Sequence, residues 1–465
     1  MLEVIFMFDI SGREWTEEEY LRLHEQGLVQ EKDVVKVIGI HNKTCERCLN
    51  QSDEWFGTFT YKGQLITYCR QCLDFKMVDN CHYLYRSLMP AKITQNAHVL
   101  NLDFKLSSLQ QRASDFAKNI LKKGETGIIW AVCGAGKTEM MFETIALALQ
   151  QQKRVCWAIP RADVVIELVP RLKQAFPHAL VIGLHGHSDE KMDYGDIVIS
   201  TTHQLIRFYQ AFDLLIIDEV DAFPYTFDEM LPRLAKKACK PTCATIYLSA
   251  TPSKADQIAI KKGALKCCLI PARYHLYSLD IPKFQWAGNL EKALKKGRLP
   301  NVVLRWMRKK LATNRRALLF VPTIEAGFHL QQALKTLLNL EVPFVYSSYE
   351  QRIAKVKAFK EGEGQFLITT MILERGVTIA DIDVAIFCAE HEVYEESALV
   401  QISGRVGRNP KYPHGEIIFF HYGITEAMDA AREQIKRMNQ SAWKQHLLKE
   451  EPKYEMSSLL SIYRY

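Results

Sequence analysis

The sequence predicts an α/β protein of two parallel-sheet lobes in tandem, preceded by a small zinc-ribbon domain, and three observations carry that expectation. Ala131-Val132-Cys133-Gly134-Ala135-Gly136-Lys137-Thr138 lies between the apolar run Gly127 to Trp130 and a helix-like stretch, as a phosphate-binding loop does. From Leu106 onward short apolar strands alternate with helical stretches, which implies crossover helices and parallel pairing. Ahead of both stand two C-x-x-C pairs, Cys45/Cys48 and Cys69/Cys72, with twenty residues between them.

The 465-residue length suggests about three domains. The expected division is 1–90 for an N-terminal segment with the zinc ribbon, 91–272 for the first lobe, 273–300 for a hinge, 301–448 for the second lobe and 449–465 for a tail. Hydrophobic residues make up 48% and charged residues 24%, an ordinary globular balance. A net charge of +7 permits a polyanionic partner without demanding one. No apolar run approaches the length of a membrane span. Met1 to Phe8 is apolar, lacks a basic leader and is cut short by Asp9, so no signal peptide is expected. Twelve cysteines, several inside apolar strands (Cys133, Cys156, Cys388), point to a reducing compartment.

In the first ninety residues, Thr16 and Glu19 have capping-box spacing and Gly27 ends the helix they begin. Cys45, Cys48, Cys69 and Cys72 are candidate Zn²⁺ ligands, since two tight knuckles close a tetrahedron; disulfides or a redox pair are the alternative, which a reducing compartment disfavours. Trp55 to Tyr68 alternates around Lys62-Gly63 as a β-hairpin does. Arg47, Lys62 and Arg70 interleave with Trp55, Phe56 and Phe59. Those residues either form a stacking and phosphate-binding surface or simply pack the ribbon.

The first lobe reads as strands at 127–132, 155–159, 180–184, 196–200, 214–217 and 244–248, with ligand loops at their carboxyl ends. Cys133, Gly134, Ala135, Gly136, Lys137 and Thr138 form the ATP-phosphate cradle, with Ala131 where the full pattern has glycine. Thr138 and Asp218 are the Mg²⁺ ligands, and Glu219 is placed to polarise the attacking water. Ser249-Ala250-Thr251 ends the next strand with hydroxyls suited to sensing the nucleotide. Arg161, Thr201, Thr202 and Gln204 end strands too, offering contacts to a sugar-phosphate chain or serving as helix caps. Gln110 either reads the adenine edge or is an exposed helix glutamine.

The second lobe reads as strands at 317–321, 344–347, 366–369, 384–388 and 416–420, without a phosphate loop of its own. Thr369 and Thr370 follow one strand as nucleic-acid candidates, and Leu373 to Val377 continues that motif. Gln401, Arg405 and Arg408 form a glycine-framed set in which two arginines three apart suit an arginine-finger role. Met428 to Tyr465 reads as a basic amphipathic helix with an apolar tail, either packed on the second lobe or docking a partner.

The order of motifs from Gln110 to Arg408 resembles superfamily 2 helicases, the group of DEAD-box-like motors, over roughly 105–440. Ala131 to Glu139, Ile217 to Pro224, Ile372 to Thr378 and the four-cysteine module together resemble the ComFA family of late competence proteins over nearly the whole chain. That resemblance implies RecA-like lobes, ATP, Mg²⁺ and Zn²⁺, and an ATP-dependent motor on single-stranded DNA in natural transformation. It also implies a cytoplasmic location at the inner face of the membrane, competence and DNA-uptake proteins as partners, and possible homo-oligomers. Another superfamily 2 helicase, primosomal or RNA-directed, and a zinc-containing nucleic-acid scaffold switched by nucleotide are the competing readings.

Overall fold

The computed structural model describes residues 8, 10–87, 89–225, 228–375 and 379–452. The chain divides into two compact units, one made of the chain up to 130 with 137–269, the other of 131–136 with the chain from 270 onward.

The first unit begins with β1 (Glu14–Thr16) and α1 (Glu17–Glu25), joined by the expected capping box: Thr16 N donates to Glu19 Oε2 at 3.0 Å and Glu19 N to Thr16 Oγ1 at 3.5 Å. There follow β2 (Val34–Ile38), β3 (Ile40–His41), β4 (Thr44–Cys45), β5 (Phe56–Tyr61), β6 (Gln64–Cys69) and β7 (Tyr83–Ser87). β5 and β6 form the expected hairpin, turning at Lys62 and Gly63 with both φ positive (48° and 78°) as a two-residue turn requires. The antiparallel sheet β1-β7-β2 was not expected from the sequence. The cysteine module does not build a core by itself. Cys45, Cys48, Cys69 and Cys72 belong to the same buried cluster as Cys156, Ala158, Leu215 and Ile217. So small a segment buries too little apolar surface to stand alone, and here it borrows the lobe's.

The remainder of this unit is α2 (Ser108–Lys123), β8 (Thr126–Ala131), α3 (Lys137–Gln150), β9 (Val155–Ile159), α4 (Ala162–Ala175), β10 (Val181–Leu184), β11 (Ile197–Thr201), β12 (Phe212–Asp218), α5 (Met230–Ala238), β13 (Cys239–Ser249), α6 (Lys254–Lys261) and β14 (Lys266–Ile270). The sheet order is β10-β11-β9-β12-β13-β8-β14, with parallel pairing from β10 through β8. β9 and β11 are buried along their whole length, as parallel strands covered on both faces must be.

The second unit contains β15 (Lys283–Trp286), α7 (Leu290–Lys295), α8 (Asn301–Ala312), β16 (Arg316–Phe320), α9 (Ile324–Leu338), β17 (Phe344–Val345), α10 (Arg352–Glu361), β18 (Phe366–Thr369), β19 (Ile382–Phe387), α11 (Glu396–Ser403), β20 (Ile417–His421) and α12 (Glu426–Lys444). Its six strands, ordered β15-β20-β19-β16-β18-β17, are all parallel. Residues 273–300, expected as a hinge, therefore carry structure: β15 pairs with β20 and the buried Leu290 and Leu294 seat α7 in the core. α12 packs on this unit, with Met428 and Ala431 in the core of the sheet. Gly376, Val377 and Thr378, the first seven residues and 453–465 lie outside the described residues. Among the described residues no helix is long and apolar enough to cross a membrane.

A buried ionic triad ties the amino-terminal sheet to the first lobe. Glu14, opposite Arg86 in the β1/β7 register, accepts Arg86 Nε at 2.7 Å and Lys237 Nζ from α5 at 2.5 Å. Burial pulls the Lys237 ammonium below a lysine's usual value, and Glu14 opposes that shift. Replacing Lys237 by Met removes one partner of a desolvated pair, so urea denaturation should show a loss of about 3–5 kcal/mol.

In the second unit His414 Nδ1 hydrogen-bonds Asp280 Oδ1 at 3.1 Å and its Nε2 is paired with Glu450 at 2.5 Å, and the Asp280 hydrogen bond leads in raising its pKa above 6.5. A raised folded-state pKa contributes stability that is fully present below pH 6.5 and disappears as pH rises through the folded value. The stability gap between wild type and His414→Ala should accordingly narrow from pH 6 to pH 9 in thermal melts.

Candidate nucleotide site and cysteine cluster

The first unit delivers its polar side chains at the carboxyl ends of apolar strands. β8 ends at the fully buried Ala131, where a small residue fits without a gap, and Lys137 and Thr138 open α3. Gly134 and Gly136 between them have φ of +81° and +79°, which turns backbone amides inward at little steric cost. Asp218 ends β12 between β9 and β13, only 8% exposed. Burial raises its carboxyl to about 6, the Lys137 charge opposes this, and Glu219 and Asp221 add to it. Glu219 N donates to Asp218 Oδ1 at 2.8 Å, and Glu219 takes a left-handed φ of +53° to turn the chain there.

Asp221 has a role that spacing alone did not reveal. It accepts Ser249 Oγ at 2.8 Å and Thr251 Oγ1 at 2.6 Å, so the acidic turn after β12 is bolted to the hydroxyls after β13. The donor set fits a hard cation: a hydroxyl at a helix start and a buried carboxylate whose charge the protein only partly balances.

In the second unit Gln401 lies on α11, and its Oε1 accepts Cys133 Sγ at 3.1 Å. Gly404 allows this approach, because a Cβ there would overlap the Cys133 side chain. Gly134 has Arg273 and Arg408 side chains as its nearest neighbours. Arg405 Nε donates to Glu374 O at 3.1 Å and Arg408 Nε to Gly404 O at 2.9 Å. Arg273, which no motif spacing singled out, is 1% exposed and donates to Cys133 O (3.2 Å) and Gly407 O (2.7 Å). Burial lowers its pKa to about 10, so it stays cationic at neutral pH. Loop residues 131–136 are thus grouped with Gln401, Arg408 and Arg273, whereas Lys137, Asp218 and Glu219 are grouped in the first unit.

Gln110 is not exposed: it is 7% accessible, and its Oε1 accepts Ser107 N at 3.0 Å in a capping box. Thr201, Thr202, Gln204 and Thr369 are buried at or just after the carboxyl ends of their strands, and Gln204 accepts Arg207 Nε at 2.7 Å. Arg161 and Thr370 are half-buried, Arg161 pairing with Asp163 at 2.6 Å. Arg47, one of the residues for which a stacking and phosphate-binding surface was one of two readings, is 1% exposed and donates to Phe75 O at 2.5 Å, which removes it from any surface beside Trp55 and Phe59. Nothing local in sequence distinguishes a buried arginine from an exposed one.

The four cysteine sulfurs lie within 4.8 Å of one another, fully buried, with Cys45–Cys72 at 3.7 Å and Cys48–Cys69 at 3.5 Å. A tetrahedral Zn²⁺ with Zn–S bonds of ~2.3 Å sets its ligand sulfurs ~3.8 Å apart, so the cluster fits zinc. Hydrogen bonds among the sulfurs hold Cys45 well below and Cys72 well above a thiol's usual pKa. Arg233 fastens the cluster to α5, donating to Cys48 O at 3.3 Å and Gln71 Oε1 at 2.8 Å.

Three family descriptions match along the chain: the competence protein ComFA N-terminal domain at 9–86, the type III restriction enzyme res subunit at 103–254 and the helicase conserved C-terminal domain at 297–410. Among solved structures, Mss116p bound to single-stranded RNA and AMP-PNP has a TM-score of 0.51 at 17% identity, covering 73% of this chain and 80% of that one. Dbp5 of S. cerevisiae bound to RNA and ADP BeF3 has a TM-score of 0.52 at 16% identity, covering 72% and 88%. These likenesses show the two-lobed RecA-like fold. The chain is 42% identical over 400 residues to competence protein ComFA of Bacillus subtilis (strain 168), covering 86% of each. It is 36% identical over 443 residues to competence protein ComFA of Streptococcus pneumoniae (strain ATCC BAA-255 / R6), covering 93% of this chain and 98% of the relative. At that identity and coverage, with helicase domains on a RecA-like fold, the chain belongs to the ComFA family of competence proteins and is an ATP-hydrolysing enzyme of the helicase class.

Proposed function

We propose that this protein is an ATP-driven translocase on single-stranded DNA that serves DNA uptake in natural transformation, working in the cytoplasm at the inner face of the membrane with other competence proteins. The observation that carries the reading is the gathering of Lys137, Asp218 and Glu219 at one strand edge in a chain whose relatives are competence proteins. In this reading Lys137 and the amides of 133–138 bind the phosphates of ATP. Thr138 and Asp218 hold Mg²⁺, which when bound neutralises phosphate charge. Glu219 accepts the proton of the attacking water and Gln401 helps to orient that water, while Arg405 and Arg408 stabilise charge on the transferred phosphoryl group. Asp221 transmits the state of the acidic turn to Ser249 and Thr251. Arg161, Thr201, Thr202, Gln204, Thr369 and Thr370 belong to the strand edges along which DNA would lie, and the buried ones among them act there by holding backbone amides in place.

The deciding measurement is ATP turnover with single-stranded DNA, duplex DNA and RNA across a salt series. Single-stranded DNA should stimulate most, and stimulation should fall as salt rises, because phosphate contacts release counterions. Absence of stimulation at low salt would overturn the reading. Glu219→Gln should retain ATP binding and lose about 10²- to 10⁴-fold in stimulated kcat; turnover surviving that change would remove Glu219 as the base.

The cysteine cluster is assigned to Zn²⁺ as a structural ion. One zinc per chain is expected by elemental analysis, and none in Cys45→Ser/Cys48→Ser. Because these cysteines share the first lobe's core, that variant should also melt at lower temperature throughout the first unit. An unchanged melt would separate the metal from the fold.

A further inference from the structure

Outside the nucleotide residues, the second unit carries a groove at the far edge of its sheet. β17 is the edge strand, and α9, the segment 340–344 and the start of α10 wall a space of about 580 Å³ around it. Pockets for small ligands run ~300–1,000 Å³. The lining is aromatic. Phe328 meets Phe344 edge-on with ring centroids 5.3 Å apart; Tyr346 lies 5.0 Å from Phe344 and 5.8 Å from Phe328, and Tyr349 lies 5.6 Å from Tyr346. Phe328 is 49% exposed, so part of its ring is open to solvent. The rim is charged: Lys335 pairs with Glu341 at 2.8 Å, and Lys355 is exposed on α10.

Two features show that the groove is built rather than accidental. Gly327 lies inside α9, where glycine is unfavourable, and a Cβ there would overlap the Phe344 ring. The helix accepts a poor helix former so that this ring can lie against its backbone. The strand edge, for its part, is closed to an added peptide strand. β17 is two residues long, Pro343 precedes it, and Gln331 Nε2 occupies Val342 O at 2.7 Å. What remains open is a set of ring faces and edges beside the exposed Lys355. The position matters as well. Val345 pairs in register with Thr369, so Tyr346 and Thr370 leave adjacent strands one strand spacing apart, ~4.8 Å.

We infer that this groove receives unstacked nucleobases of single-stranded DNA, which stack on Phe328 and Tyr346 while Lys355 meets the adjoining phosphate. The inference rests on the single-stranded DNA reading above and adds to it a base-binding subsite. Aromatic stacking is tolerant of sequence, because every base has a π-face, and the binding expected here is correspondingly unspecific.

The test compares two oligonucleotides of equal length and charge by fluorescence anisotropy with full-length protein, one of thymidines and one in which every base is replaced by an abasic unit. Wild type should prefer the thymidine oligonucleotide. Phe328→Ala should shrink that preference by about fivefold or more, with little effect on the abasic oligonucleotide, and Phe328→Trp should keep it. Lys355→Glu should weaken both oligonucleotides alike. Equal weakening of both by Phe328→Ala would make the ring structural and overturn the inference, as would an unchanged preference; a thermal melt matching wild type excludes misfolding as the cause. If wild type binds neither oligonucleotide, the single-stranded DNA reading fails and the subsite falls with it. If wild type binds both equally, only the subsite fails.

Discussion

Burial of a carboxylate at the end of β12 is the constraint from which most of the first unit's chemistry follows. A parallel sheet covered on both faces leaves polar side chains only at strand ends, and Asp218 occupies that place behind Leu214, Leu215, Ile216 and Ile217. Desolvation there raises its carboxyl to about 6, so the ionised state needs cationic help. Lys137 supplies part of it from the start of α3. Asp221 lies three residues on and adds repulsion, but its two oxygens are spent on Ser249 and Thr251. The acidic turn is therefore held in one shape by hydrogen bonds while one carboxylate remains under-compensated. A divalent cation completes such a site at small conformational cost.

The cysteine module obeys a different constraint, that of size. A zinc ribbon usually substitutes metal bonds for an apolar core, but here the sulfurs are packed into the lobe's core and α5 reaches them through Arg233. The Glu14–Arg86–Lys237 triad fixes the neighbouring sheet to the same helix. Phe75, next to the second knuckle, stacks on His203 in the turn that follows β11, with ring centroids 6.3 Å apart. The module is thus braced against the segment that carries Thr201, Thr202 and Gln204.

What was legible in the sequence was what is local. The capping box at Thr16/Glu19, the turn at Lys62-Gly63, the phosphate loop and the acidic turn are each specified within about eight residues, and residue type alone gives the chemistry. The strands Lys266–Ile270 and Lys283–Trp286 were missed because they are short edge strands with charged first residues, and one lies where proline and glycine suggested a hinge. The burial of Gln110 and Arg47 was not legible for a related reason. Their burial depends on partners far away in the chain or on backbone atoms, and no periodicity records that. The same holds for Arg273, and for Asp221, whose partners stand 28 and 30 residues on.

The electrostatics of each unit also explain why one ligand class suits this chain. In the first unit a buried carboxylate is left short of positive charge. In the second, Arg273 and Arg408 repel each other; burial lowers Arg273 to about 10, and Asp280 supplies only part of the opposing charge. Guanidiniums that are desolvated and face like charge gain strongly from a polyanion, especially one that binds several N–H groups at once. A magnesium-bound nucleotide brings a cation and a polyanion in a single molecule. Each unit alone holds an incompletely balanced charge, negative in the first and positive in the second.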